Sequence, residues 1–225
     1  AYLITITNDG TISSNFSNAS MMATEYHPTL GGFLDITNTG LISAPYNNAI
    51  ESFGRYDTVA NSGVINGEVR LDFGESPDRP FTDNIYNTGD IFGSVYLGYG
   101  VNYLDNAGQI FGNIYFDMGS DHVDNSGLIT GDVHLGDGND TFMGDTGEID
   151  GLISGYLGDD VIHSGIGNDY ISGGAGDDII WSGAGDDDIY GDEGADEMHG
   201  GAGIDTASYI GSTDGVRVSL NAGRG

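Results

Sequence analysis

Aspartate recurs in this chain at a spacing that could gather oxygen ligands. Asp160, Asp169, Asp178, Asp187, Asp196 and Asp205 follow one another every nine residues, and Asp140 precedes them. A carboxylate is a hard oxygen donor, suited to a hard divalent cation. The plainer role of such residues is turn capping, because Asp and Asn hydrogen-bond their own backbone there. Charge argues for the cation: 35 acidic residues face five arginines (Arg55, Arg70, Arg79, Arg217, Arg224) and no lysine, a formal net charge of −30. Compaction of so one-sided a chain is opposed by self-repulsion unless cations offset it. The same charge makes nucleic acid and anionic membranes poor partners.

Other chemistries lack their residues. There is no cysteine, hence no disulfide and no thiolate metal site. The five histidines, His27, His122, His134, His163 and His199, form no His-Glu-x-x-His, and no Gly-x-Ser-x-Gly is present. His163 and His199 read as solvated surface. A polysaccharide lyase or epimerase would need an acid and a base beside a basic residue, and such a set is not visible. Tyr96, Tyr115 and His134 share one outward position and could stack a sugar ring, although surface packing is the commoner use of such a stripe. No stretch approaches the ~20 apolar residues of a membrane helix, and no signal peptide is visible.

The elements that must position the aspartates are legible as repeats. From Gly155 to Ser208 six nonapeptides run without a gap: GYLGDDVIH, SGIGNDYIS, GGAGDDIIW, SGAGDDDIY, GDEGADEMH and GGAGIDTAS. A seventh, LGDGNDTFM, begins at Leu135. Glycine holds the fourth place, Asp the sixth, and an apolar residue or alanine the eighth. Six residues with glycine form a turn, since glycine accepts the positive φ that tight turns need. Three then form a short strand whose central side chain points inward, by period-two alternation. Two nonapeptides make one coil of two strands and two turns. Equivalent aspartates then stack about one strand spacing apart, ~4.8 Å, and would repel strongly without a cation between them.

Upstream, Asn-x-Gly-x-apolar takes over at Asn38, Asn61, Asn87, Asn106 and Asn125, with Asp145 a variant. Coils aligned on these motifs start at Asp78, Leu97, Phe116, Leu135, Gly155, Gly173 and Gly191. Their sixth residues are Asp83, Asn102, Asp121, Asp140, Asp160, Asp178 and Asp196. Their eighth residues are Ile85, Leu104, Val123, Phe142, Ile162, Ile180 and Met198. A further coil near Ser52 puts Asp57 and Val59 in the same columns. Ile91, Ile110, Ile129 and Ile149 fit a core ladder, as do Val95, Ile114 and Val133. The asparagines fit an amide ladder between coils. Gly74 to Pro80 reads as an external loop, and residues 13–32 have no clear register. Asp57, Asp83 and Asn102 read as turn caps rather than ligands.

The nonapeptides resemble the RTX repeats of secreted Gram-negative toxins, proteases and lipases, with consensus Gly-Gly-x-Gly-x-Asp-x-apolar-x. The resemblance covers 135–143 and 155–208. Residues Asp205 to Tyr209 and Gly215 to Leu220 also look like the segment that follows such blocks. The resemblance implies several bound calcium ions, each between equivalent turns one coil apart. Each turn would supply its Asp carboxylate and backbone carbonyls from its first four positions. One edge would pair Asp160 with Asp178 and Asp178 with Asp196; the other would pair Asp169 with Asp187 and Asp187 with Asp205. The carbonyls would come from Gly155 and Gly158, Gly165 and Gly167, Gly173, Gly174, Ala175 and Gly176. Ser182, Gly183, Ala184 and Gly185, then Gly191 and Glu193, then Gly200 and Ala202, would supply the rest. Asp140 with Asp160 is a further pair, although Gly144 to Ser154 is two residues too long for a nonapeptide. Asp121 with Asp140 extends the column by analogy, and Asn102 would weaken any site above it.

The expected fold is all-β: a right-handed parallel β-solenoid over 1–134, continuing into an RTX β-roll over 135–208, with a truncated extension over 209–225. The expected function is calcium binding that drives folding of a non-catalytic, structural or adhesive module of a secreted bacterial protein. The resemblance implies type I export and an extracellular or cell-surface location. Self-association through the solenoid ends is an expected partner mode. The alternative is an accessory module of a secreted enzyme whose catalytic domain lies elsewhere.

Overall fold

The computed structural model describes residues 3–13, 21–23, 33–52, 56–71, 81–144, 146–212 and 215–220. The expected loop from Gly74 to Pro80 and the variant Asp145 lie outside the described residues. So does most of 13–32. Every described element is a β-strand, and every strand pair is parallel. The chain winds as a parallel β-solenoid, as the repeat pattern predicts.

One sheet has eleven strands in the order of the sequence, from Leu3–Asn8 and Phe33–Asn38 to Glu197–His199 and Arg217–Ser219. Its core ladder runs Ile36, Val59, Ile85, Leu104, Val123, Phe142, Ile162, Ile180, Met198, each opposite the next. All nine are fully buried. This is the eighth-position column of the sequence, with Ile36 added. Burying each such side chain contributes roughly 1.5–3 kcal/mol, which is the term that fixes the register: a one-residue slip would expose the whole ladder.

The second sheet forks. One run carries Ile65, Ile91, Ile110, Ile129 and Ile149 in register. The other carries Val69, Val95, Ile114, Val133, Ile153, Ile171, Ile189 and Ala207. Coils before Ile149 therefore have three faces and bury four apolar positions each, as at Leu104, Ile110, Ile114 and Phe116. From Leu152–Leu157 onward the chain has two faces, one isoleucine-type position per strand. The sequence shows both ladders, but the three-faced section is a structural finding. It follows from coil length, since an 18-residue coil built of two nonapeptides has two strands and no room for a third.

The corner after the first sheet is closed by asparagine. Asn8 donates to Asn38, Asn38 to Asn61, Asn61 to Asn87, Asn87 to Asn106 and Asn106 to Asn125, each Nδ2 to the next Oδ1 at 2.7–2.8 Å. The amide ladder expected from the sequence exists and begins one rung earlier, at Asn8. The glycine two places on is required by close approach: a Cβ on Gly63 or Gly89 would collide with the carbonyl oxygen of the equivalent glycine one coil before.

Candidate metal centre

The sixth-position residues form the two columns predicted. In the first column the N–H of each residue donates to Oδ1 of the next one along the stack. Asp57 donates to Asp83 (2.7 Å), Asp83 to Asn102 (2.9 Å), Asn102 to Asp121 (2.6 Å), Asp121 to Asp140 (2.7 Å) and Asp140 to Asp160 (2.8 Å). Asp160 donates to Asp178 (2.9 Å) and Asp178 to Asp196 (3.2 Å). In the second column Asp169 donates to Asp187 (2.9 Å) and Asp187 to Asp205 (3.4 Å). These residues do cap turns, but the turn capped is the one a coil earlier. Asp57, Asp83 and Asn102 share this role with the repeat aspartates, so capping and ligation are not alternatives here.

Each capping bond uses one carboxylate oxygen. The second oxygen of Asp121, Asp140, Asp160, Asp178, Asp187, Asp196 and Asp205 is buried and has no hydrogen-bond partner. Asp169 bonds Ser164 Oγ through Oδ2 (2.7 Å) and leaves Oδ1 unpartnered. An unpaired buried charge of this kind is costly, and repeating it along two columns calls for a common counter-charge.

The rest of each turn explains its glycines. Oδ2 of Asp178 lies where a Cβ of Gly173 would be, and the same holds for Asp160 over Gly155, Asp196 over Gly191 and Asp205 over Gly200. The first position is thus small because the carboxylate folds back over it. Ser182 holds the same place and donates its hydroxyl to the Gly200 carbonyl at 2.7 Å. Second-position Gly165, Gly174 and Gly183 have φ of 113°, 110° and 99°, where Tyr156 and Asp192 are held at 77° and 68°. Fourth-position N–H groups point along the stack. Gly158 donates to the Ala175 carbonyl (2.7 Å), Gly167 to Ala184 (2.9 Å), Gly176 to Glu193 (2.8 Å) and Gly185 to Ala202 (2.9 Å). Each of these third-position carbonyls keeps a second lone pair.

The carboxyls are held well above their ordinary range. Asp178 is pushed up to about 8, chiefly by burial, with Asp160 and Asp196 adding like charge. Burial likewise raises Asp121, Asp140 and Asp160 to about 7, and Asp57 and Asp169 to about 6. Asp196 is also raised, first by burial. Desolvation disfavours the charged form in every case, so the columns store a demand for positive charge that grows with pH.

The donor set is hard oxygen throughout, without sulfur or imidazole, which suits calcium or magnesium. Among the described residues no three His, Asp or Glu side chains converge as a side-chain metal cage. The available oxygens are single carboxylates and main-chain carbonyls.

The outer aromatics stack on one another along the coils. Tyr96 stacks on Tyr115 and Tyr115 on His134, both at 4.8 Å and within 12° of parallel, and Arg70 lies 3.6 Å above Tyr96. Their faces are spent on one another. His163 packs tilted on Trp181 at 4.3 Å and Trp181 stacks on His199 at 5.4 Å, a second aromatic stripe rather than isolated solvated rings. No described helix is long and apolar enough to cross a membrane.

Comparison with protein families matches four copies of the RTX calcium-binding nonapeptide repeat, over residues 133–148, 154–189 and 172–207. No curated protein and no solved structure matches the chain. The chain thus carries RTX repeats, and calcium is the ion of that repeat.

Proposed function

From the calcium-binding repeats over 133–148 and 154–207, we propose that calcium ions seat between successive turns of both columns and that their binding closes the β-roll. The ligands would be the second carboxylate oxygens of Asp140, Asp160, Asp178 and Asp196 on one edge. On the other they would be those of Asp169, Asp187 and Asp205, with third-position carbonyls such as Ala175, Ala184, Glu193 and Ala202. The observation that carries this reading is the row of buried carboxylate oxygens without partners. Bound calcium supplies the charge that the row lacks.

Folding is coupled to the ion on this reading. Without it, glycine entropy and carboxylate repulsion oppose the coils. With it, at the Kd of roughly 10⁻⁴–10⁻³ M usual for extracellular modules, the strands stack. Far-UV circular dichroism during calcium titration, with magnesium as control, tests this. β-structure should rise with calcium and fall again in chelator. A chain equally folded in chelator overturns the coupling.

The module is read as non-catalytic, structural or adhesive, and secreted. Support comes from the RTX repeats, typical of secreted bacterial proteins, from the lack of cysteine, and from an outer surface of self-stacked aromatics. Assembly with further copies belongs to the same reading. Sedimentation with and without calcium tests it, and a monomer under both conditions counts against assembly.

A further inference from the structure

The turn column does not stop where the matched repeats stop. Turns 97–102 and 116–121 keep the same main-chain pattern. The N–H of Gly100 donates to the Met118 carbonyl (2.7 Å) and that of Gly119 to Asp137 (2.8 Å), as that of Gly158 does to Ala175 (2.7 Å). Gly100 and Gly119 have positive φ, 120° and 157°, as does Gly158 at 125°. At the sixth position Asn102 is 1% exposed and Asp121 2%.

These two residues differ in one terminal atom. The second carboxylate oxygen of Asp121 is buried and unpartnered, like those of the repeats. Asn102 has a nitrogen in that place. It donates to the Gly98 carbonyl of its own turn at 3.1 Å, while the Asn102 main-chain N–H donates to Asp121 Oδ1 of the next turn at 2.6 Å. Asn102 therefore holds a main-chain carbonyl of its own turn through the side-chain amide and the carboxylate of the following turn through its main-chain N–H. A cation between turns would join those same two oxygen types. An amide N–H brings only a partial positive charge, but the turn that carries it also lacks one carboxylate, so less needs to be balanced.

Resting on the calcium reading above, we infer that the Asn102 amide stands in for an ion between turns 97–102 and 116–121. We infer further that Asp121, which lies outside the matched repeats, holds a calcium of the column together with Asp140. The Met118 and Asp137 carbonyls occupy the third positions there, where the repeats place Ala184 and Ala202. The sixth-position residue then decides, coil by coil, whether a turn is closed by an ion or by its own side chain.

Two near-isosteric exchanges test this on the 225-residue chain, with calcium counted by equilibrium dialysis and turns followed by amide hydrogen exchange. Asp121→Asn should lose one ion, and protection of 116–121 should cease to depend on calcium. Asn102→Asp should gain one ion, and protection of 97–102 should become calcium-dependent. Asp178→Ala serves as the reference. If it loses ions while neither exchange alters the count, this inference fails and the repeat sites stand. If the unaltered chain binds no calcium, both fail. An Asn102→Asp chain that stays unfolded even in calcium also overturns the inference, because no ion has then taken the new place.

Discussion

Asp178 is engaged from both sides. Its Oδ1 accepts the Asp160 N–H, its own N–H reaches Asp196, and burial together with both neighbours lifts its carboxyl to about 8. Asp187 is placed alike between Asp169 and Asp205. A ligand between two turns serves two ions, so Asp178→Ala and Asp187→Ala should each abolish two sites, whereas Asp205→Ala should abolish one. Loss of a single ion from Asp178→Ala, counted by equilibrium dialysis, would break the shared-ligand arrangement. The aspartate columns are legible in the sequence because nine-residue spacing is independent of geometry. The cross-coil capping is not, since it joins residues 18–26 positions apart and exists only once coils are stacked. Asn8 hid for the same reason: the next rung lies 30 residues on, through a stretch without register.

Between elements, two kinds of rung hold neighbouring coils together. The aspartate rungs lack a partner that an ion supplies, whereas the asparagine rungs are complete, each amide donating to the next at 2.7–2.8 Å. Asn87→Ala removes both the acceptor for Asn61 and the donor to Asn106. Each buried group left unpaired costs about 1–3 kcal/mol, so for two groups a loss of roughly 2–6 kcal/mol is expected. Denaturant unfolding should show nearly the same loss in calcium and in chelator at pH 5, where the metal-free chain keeps its β-structure, because the rung involves no ion. A loss confined to calcium-free conditions would tie the ladder to the metal and refute its independence. The change from three faces to two was half visible beforehand. The core ladders through Ile91 and Val95 can be picked out by their spacing, but their assignment to separate faces depends on turns whose geometry no periodicity encodes.

At the scale of the molecule, the raised carboxyls make the metal-free chain sensitive to pH in an unusual direction. An aspartate ordinarily titrates near 3.8, yet burial holds Asp169 at about 6, Asp121, Asp140 and Asp160 at about 7 and Asp178 at about 8 in the folded state. The folded chain therefore binds more protons than the unfolded chain between about pH 4 and pH 8, and stability falls as pH rises through that window. Protons and calcium answer the same deficit of positive charge, so they compete. In chelator the chain should show more β-structure by circular dichroism at pH 5 than at pH 8. In calcium the pH 8 sample should fold, with the midpoint moving to higher calcium as pH drops below about 7. Calcium added near pH 7 should also release protons into a weakly buffered solution. A chelated chain better folded at pH 8 than at pH 5 would mean that the columns are not desolvated in the way the buried oxygens indicate. A chain with this dependence stays open where pH is neutral and calcium scarce, and closes where calcium is plentiful. That is the behaviour the proposed secretion of the module would call for.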